Sequence, residues 1–183
     1  MNEVLKTIAE RNSCRDFTGE PLTKDQVDTL VKAALAAPSA MNRQPWHIMM
    51  CTDKALVDEM DSAAIAAMEA NEDKTMYNRI KERGGKVFYN APCMMMIAGD
   101  GSRWADLDCG ILVENVALAA HSLGLGNVIN GMAHIPLDGD KGADFKKRLK
   151  WPDGYGFGIA ILIGKANAGK VPHELDMGKV TYV

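Results

Sequence analysis

The chain has few cysteines and no arrangement that would make them structural. Cys14, Cys51, Cys93 and Cys109 form no C-x-x-C pair and are too few to staple 183 residues. They read as reduced thiols in a cytosolic protein. No apolar run is long enough to cross a bilayer, and the opening MNEVLKTIAERNS lacks the apolar centre of a secretory signal. A cytoplasmic protein without a membrane partner is therefore expected. The net charge is −3, so no global basic field draws the chain to nucleic acid; any anion site must be local. There is no H-E-x-x-H, and His47, His121, His134 and His173 are scattered, so no metal site is expected. G-x-S-x-G and Walker A loops are absent too, and nothing repeats or is of low complexity. These absences remove hydrolase nucleophiles, triphosphate loops and metal centres from the candidate chemistries.

What is present is an ordinary globular composition, 47% apolar and 25% charged. It suffices for one domain over residues 1–183, with no linker to divide it. Val4, Leu5 and Ile8 mark a short first helix. Thr23 and Gln26 form a capping box, with Leu22 and Val27 at the staple positions. Val27, Leu30, Val31, Ala34 and Leu35 then make a helical stripe that Pro38 ends. WHIMMCT (46–52), CMMMIAG (93–99) and FGIAILIG (157–164) read as strands, and 127–132 as a short one. Residues 53–72 read as an alanine- and methionine-rich helix, and the charged stretch 73–90 as a helix and loop. Trp104 to Leu123 is a long helix, with Leu107, Ile111, Leu112, Leu118 and Ala119 on its apolar face and Gly124 as its C-cap. Residues 145–150 are a basic helical end, and KVTYV (179–183) is a β-prone tail. Strands among helices in this order predict an α+β layer protein.

The residues suited to chemistry hold ligands rather than attack them. Arg11, Ser13 and Arg15 alternate, so in extended chain they share one side. That is the donor set of a phosphate cradle, or else a solvated basic turn. PSAMNRQPW (38–46) gathers Ser39, Asn42, Arg43 and Gln44 between a helix and a strand. Its amides suit the mixed edge of a heterocycle or a polyol, or serve the turn alone. The G-x-G of LGLGNVINGM (123–132) closes a helix rather than opening one. It is thus no dinucleotide fingerprint, and these glycines cap the helix and allow close approach to something flat. Lys165, Lys170 and His173 are late cations or a solvated loop. Asp106 and Asp108 fit a helix start, and the methionine runs at 49–50 and 94–96 fit core filling. Cys14 lies between two arginines, yet a buried, inert thiol is expected there. Ligand-holding groups without a nucleophile or metal suit a protein whose reactivity belongs to a bound cofactor.

In order and spacing these motifs resemble the nitroreductase family of FMN-dependent oxidoreductases, in its shorter form. R-x-S-x-R-x-F is Arg11 to Phe17, S-x-x-N-x-Q-P-W is Ser39 to Trp46, and N-A-P is Asn90 to Pro92. D-x-G, N-x-x-L-A-A and G-L-G follow between Asp108 and Gly126. The resemblance implies a three-layer α+β fold, a mixed, mainly antiparallel sheet flanked by helices, in an intertwined homodimer with swapped terminal segments. It assigns the FMN phosphate and ribityl chain to Arg11, Ser13 and Arg15. Asn42 and Gln44 would reach the ribityl chain or the pyrimidine edge. Ser39, in the turn with Pro38, Ala40 and Met41, would line the pocket from the partner subunit. Ile129, Asn130 and Gly131 would lie along the ring, with the backbone N–H groups of Asn130 and Gly131 towards N5 and O4. Lys165, Lys170 and His173 stand where the family has its phosphate-side cations, although the proline and arginine of longer members are missing from GKANAGKVPHELD. Residues 68–88 match no motif and occupy the region that covers the flavin and shapes substrate choice in the family. The implied activity is ping-pong transfer of two electrons from NADH or NADPH to a nitroaromatic, a quinone or a similar small acceptor, with no dedicated catalytic side chain. Reductive dehalogenation, oxidative flavin chemistry and a flavin store or sensor without turnover are the alternatives.

Overall fold

The structure, a computed structural model, describes residues 1–169 and 171–183; Lys170 lies outside the described residues. In chain order the elements are α1 (Glu3–Glu10), α2 (Lys24–Leu35), β1 (Trp46–Cys51), α3 (Lys54–Ala70), α4 (Thr75–Glu82) and β2 (Cys93–Gly99). They continue with α5 (Ala105–Ser122), β3 (Gly126–Asn130), α6 (Ile135–Asp138), α7 (Gly142–Arg148) and β4 (Gly156–Gly164). The strands form one sheet in the order β1-β2-β4-β3, and every strand pair is antiparallel. The parallel component of the expected mixed sheet is confined to one isolated bridge, Ser13 to Asn127.

Strand periodicity builds two cores on this sheet. Met94, Met96, Ala98, Ala160, Leu162 and Val128 face Val57, Met60 and Ala64 of α3, with Phe88 and Phe145 filling the same layer. Met95, Ile97, Ile161 and Ile163 face Leu30 and Ala34 of α2 and Leu112, Val113, Val116 and Ala120 of α5. β2 is buried along its whole length, which is why CMMMIAG shows no polar alternation. Each such Leu, Ile or Met contributes about 1.5–3 kcal/mol by leaving water. The capping box is present: Thr23 accepts from the Gln26 N–H, and the Gln26 side chain accepts from the Thr23 N–H at 2.9 Å. α5 closes as its glycine requires, with Gly124 at φ 72 and the Leu125 N–H donating to Ala120 O at 2.9 Å.

Two terminal segments depart from the pattern of burial. α1 has no buried residue, and Val4, Leu5 and Ile8 are exposed on it. The tail expected to be β-prone forms a short 3-10 turn at Met177–Lys179 and then irregular chain. A lone strand needs a neighbour for its hydrogen bonds, and among the described residues none pairs with it. Among the described residues no helix is long and apolar enough to cross a membrane.

Candidate functional site

The segment from Ser13 to Thr18 is stitched into the fold through its backbone. The Cys14 N–H donates to Asn127 O at 2.8 Å, and the Phe17 N–H to Tyr89 O at 3.2 Å. The Thr18 N–H donates to Lys165 O at 2.9 Å, and Asn90 Nδ2 to Phe17 O at 3.0 Å. Cys14 and Phe17 point into the core, so the alternate positions, Ser13 and Arg15, are left outside it. Arg11, at 17% side-chain exposure, lies with its Nε 3.9 Å from the Glu114 carboxylate of α5. Burial pushes the Cys14 thiol above its ordinary value, as the first of several opposing causes. That direction favours the protonated thiol.

Arg15 opens onto a cleft of about 540 Å³ lined by Arg15, Asp16, Arg83, Gly84, Lys86, Tyr89 and Asn90. Three cations share it, and among the described residues none of them forms an ion pair. Asp16 is the single acid, and Asn167 Nδ2 already donates to it at 2.8 Å. Arg83 and Lys86 are functional candidates that sequence reasoning missed. Asp61 of α3 holds the turn that carries them: its carboxylate accepts the Phe88 N–H at 2.6 Å. Burial raises the Asp61 pKa; the backbone N–H groups of Phe88 and Val87, and then Lys86, oppose the shift. An acid in line with Val57, Ala64 and Met68 on the buried face of α3 was the available signal.

β3 carries two buried asparagines, Asn127 on the α5 face of the sheet and Asn130 on the α3 face. Asn127 Nδ2 donates to Ala117 O at 3.0 Å, and Asn130 Nδ2 to Val87 O at 2.9 Å. The side-chain oxygens of both have no hydrogen-bond partner among the described residues. Ile129 is exposed beside them, and a Cβ placed on Gly131 would meet nothing within 4 Å.

The second motif folds into a tight turn. Met41, Asn42 and Gln44 have φ of 53, 52 and 49, a conformation that costs non-glycine residues of the order of 1 kcal/mol each or more. The turn is held by its own groups. The Gln44 N–H donates to Ser39 Oγ at 2.9 Å, and Gln44 Nε2 donates to Asn42 Oδ1 at 2.9 Å. The Ala40 N–H reaches the buried Asp108 carboxylate at 3.2 Å. Pro38 and Met41 to Gln44 are exposed.

This turn does not meet Arg11, Ser13 and Arg15 within one chain. It leads into Trp46, which pairs with Gly99, whereas Ser13 bridges Asn127, which pairs with Ile163 and thus aligns with Cys93. The two motifs sit at diagonal corners of the sheet, roughly 25 Å apart from strand spacing and rise. Lys165 lies near the first corner, with its Nζ 3.2 Å from the Glu20 carboxylate. His173 is exposed on the loop after β4.

The Nitroreductase family profile matches residues 8–165. A nitroreductase with bound FMN from Desulfitobacterium hafniense DCB-2 is 45% identical, with a TM-score of 0.96 over 100% of this chain and 99% of that one. A nitroreductase with bound FMN from Bacteroides fragilis NCTC 9343 is 25% identical, with a TM-score of 0.88 over 100% of both chains. The NADPH-flavin oxidoreductase of Vibrio harveyi is 30% identical over 133 residues, which cover 72% of this chain and 54% of that protein. The chain spans between 53% and 69% of the length of the first curated relatives it matches. By its profile match and its whole-chain similarity, the chain belongs to the nitroreductase family.

Proposed function

We propose that this chain binds FMN and works as an FMN-dependent NAD(P)H oxidoreductase, with a nitroaromatic, a quinone or a similar small molecule as acceptor. One observation carries the reading. Three cations without carboxylate partners line a cleft, and Asn130, tied to Val87 O beside Lys86, leads into an open backbone at Gly131. FMN is the complement of that set. Its phosphate carries about −1.5 to −2 charges, and its N5–O4 edge accepts hydrogen bonds.

The Arg11 and Arg15 guanidinium groups would take the phosphate in forked contacts, with the Ser13 hydroxyl beside them. Arg83 and Lys86 would add positive charge from the opposite wall, and Lys165 and His173 are the late cations of the same end. The backbone N–H of Gly131 would face the ring edge. When bound, FMN supplies the two-electron chemistry, accepting hydride from NADH or NADPH and passing it to the acceptor in alternating half-reactions. The chain orients the ring and places positive charge where electron density rises on reduction. None of its side chains need act as an acid when the acceptor draws its proton from water.

The unit that binds FMN is read as a homodimer, each copy one domain over residues 1–183. The turn of Pro38, Ser39, Ala40, Met41, Asn42 and Gln44 cannot reach the Arg15 cleft of its own chain, and a second copy can supply it. Titration of FMN into the chain and into Arg15→Ala tests the reading. Loss of a charge-assisted contact should weaken FMN binding by about 1.5–3 kcal/mol, and the purified variant should be paler and regain activity on addition of FMN. An unchanged affinity would remove Arg15 from the site.

A further inference from the structure

The geometry points to a two-ended clamp, made by the side chains of Asn130 and His134, that sets the Asn130–Gly131 backbone in place for the ring edge of the flavin; this rests on the FMN reading above. Asn130 is 3% exposed, and its Nδ2 donates to Val87 O at 2.9 Å. That bond ties the last residue of β3 to the turn behind Lys86. His134 closes the other end, with its Nδ1 2.7 Å from Gly131 O. A carbonyl oxygen only accepts, so Nδ1 carries the proton and the imidazole donates. The ring is itself supported by Phe157, at 6.0 Å between centroids and 51° between planes.

The two bonds grip consecutive residues at the junction where β3 gives way to the 3-10 turn Gly131–His134. Between them, Gly131 faces open space. The Asn130 N–H is turned to Ala160 in the β3–β4 ladder, so a backbone held at both ends and bare in the middle presents the Gly131 N–H as a pre-set donor. A fixed donor favours a partner whose negative charge grows, because it needs no reorganisation when that happens. The flavin ring gains electron density on reduction, so the clamp selects the reduced ring over the oxidised one. His134 acts through the Gly131 carbonyl and is a positioning residue.

The test uses the FMN-loaded chain, His134→Ala and His134→Asn, with anaerobic measurement of the flavin midpoint potential and FMN titration of each. His134 is exposed, so neither substitution empties the core. His134→Ala should lower the preference for reduced over oxidised FMN about tenfold, which moves the two-electron potential about 30 mV more negative. His134→Asn can offer its Nδ2 from nearly the same place and should restore most of that shift. An unchanged potential in His134→Ala, or an equal shift in both variants, overturns the clamp. A wild-type chain that takes up no FMN overturns the flavin reading and the clamp with it.

Discussion

Asp61 shows how a single residue can serve the site without lining it. Its carboxylate is buried, and its hydrogen-bond partner is the backbone N–H of Phe88. Removing it in Asp61→Ala would leave that buried donor unpaired, at a cost of about 1–3 kcal/mol. Its raised pKa means that the folded chain keeps this proton longer than the unfolded chain. Asp61 therefore favours the fold on the acid side, and that contribution falls as the pH rises from the ordinary Asp range through the raised value. Urea unfolding of the wild type and of Asp61→Asn across this window should show the decline in the wild type only. Equal pH profiles would contradict it. The alternation of Arg11, Ser13 and Arg15 is local, a spacing of two, although only Arg15 of the three lines the cleft. Arg83 and Lys86 were not legible in the sequence, because they meet Arg15 only after Asp61 has drawn the chain back across α3.

At the scale of elements, the glycines at strand ends govern how closely the site segments pack. A Cβ on Gly164, the last residue of β4, would lie 2.5 Å from Pro92 Cδ and 3.2 Å from Phe17 Cδ1. Gly164→Ala must therefore displace either the N-A-P turn or the stitched segment that carries Arg15. It should cost about 1–3 kcal/mol of stability and weaken FMN binding with it, as thermal melting with and without FMN would reveal. A variant as stable as the wild type would show that this contact yields without strain. The capped helix α2 and the strands with long apolar runs were legible in the sequence, since their signals lie within each segment. The face expected for α5 was not, because Leu107 and Ile111 are exposed and its buried face runs through Asp108, Cys109, Leu112, Val113, Val116, Ala117 and Ala120. The tail KVTYV was not, because a strand is defined by a neighbour and none of the described residues pairs with it.

On the homodimer reading proposed above, the exposed apolar residues of the whole molecule are surfaces for a second copy. Val4, Leu5 and Ile8 of α1, Leu107 and Ile111 of α5, and Val180 and Tyr182 of the tail are all exposed, and β1 has a free outer edge among the described residues. Such surfaces are liabilities in a monomer. Sedimentation should give twice the chain mass of 19.9 kDa, and a monomer that binds FMN at full strength would contradict the shared site. The diagonal separation of the two motifs was not legible in the sequence either, because it follows from strand order and register.

If this chain holds FMN and reduces it with a nicotinamide, the visible spectrum of the purified protein, recorded anaerobically before and after NADH or NADPH is added, will show it. The expected result is a flavin spectrum that bleaches. A flavin that stays oxidised with both donors, or no flavin even after FMN is supplied, would contradict it.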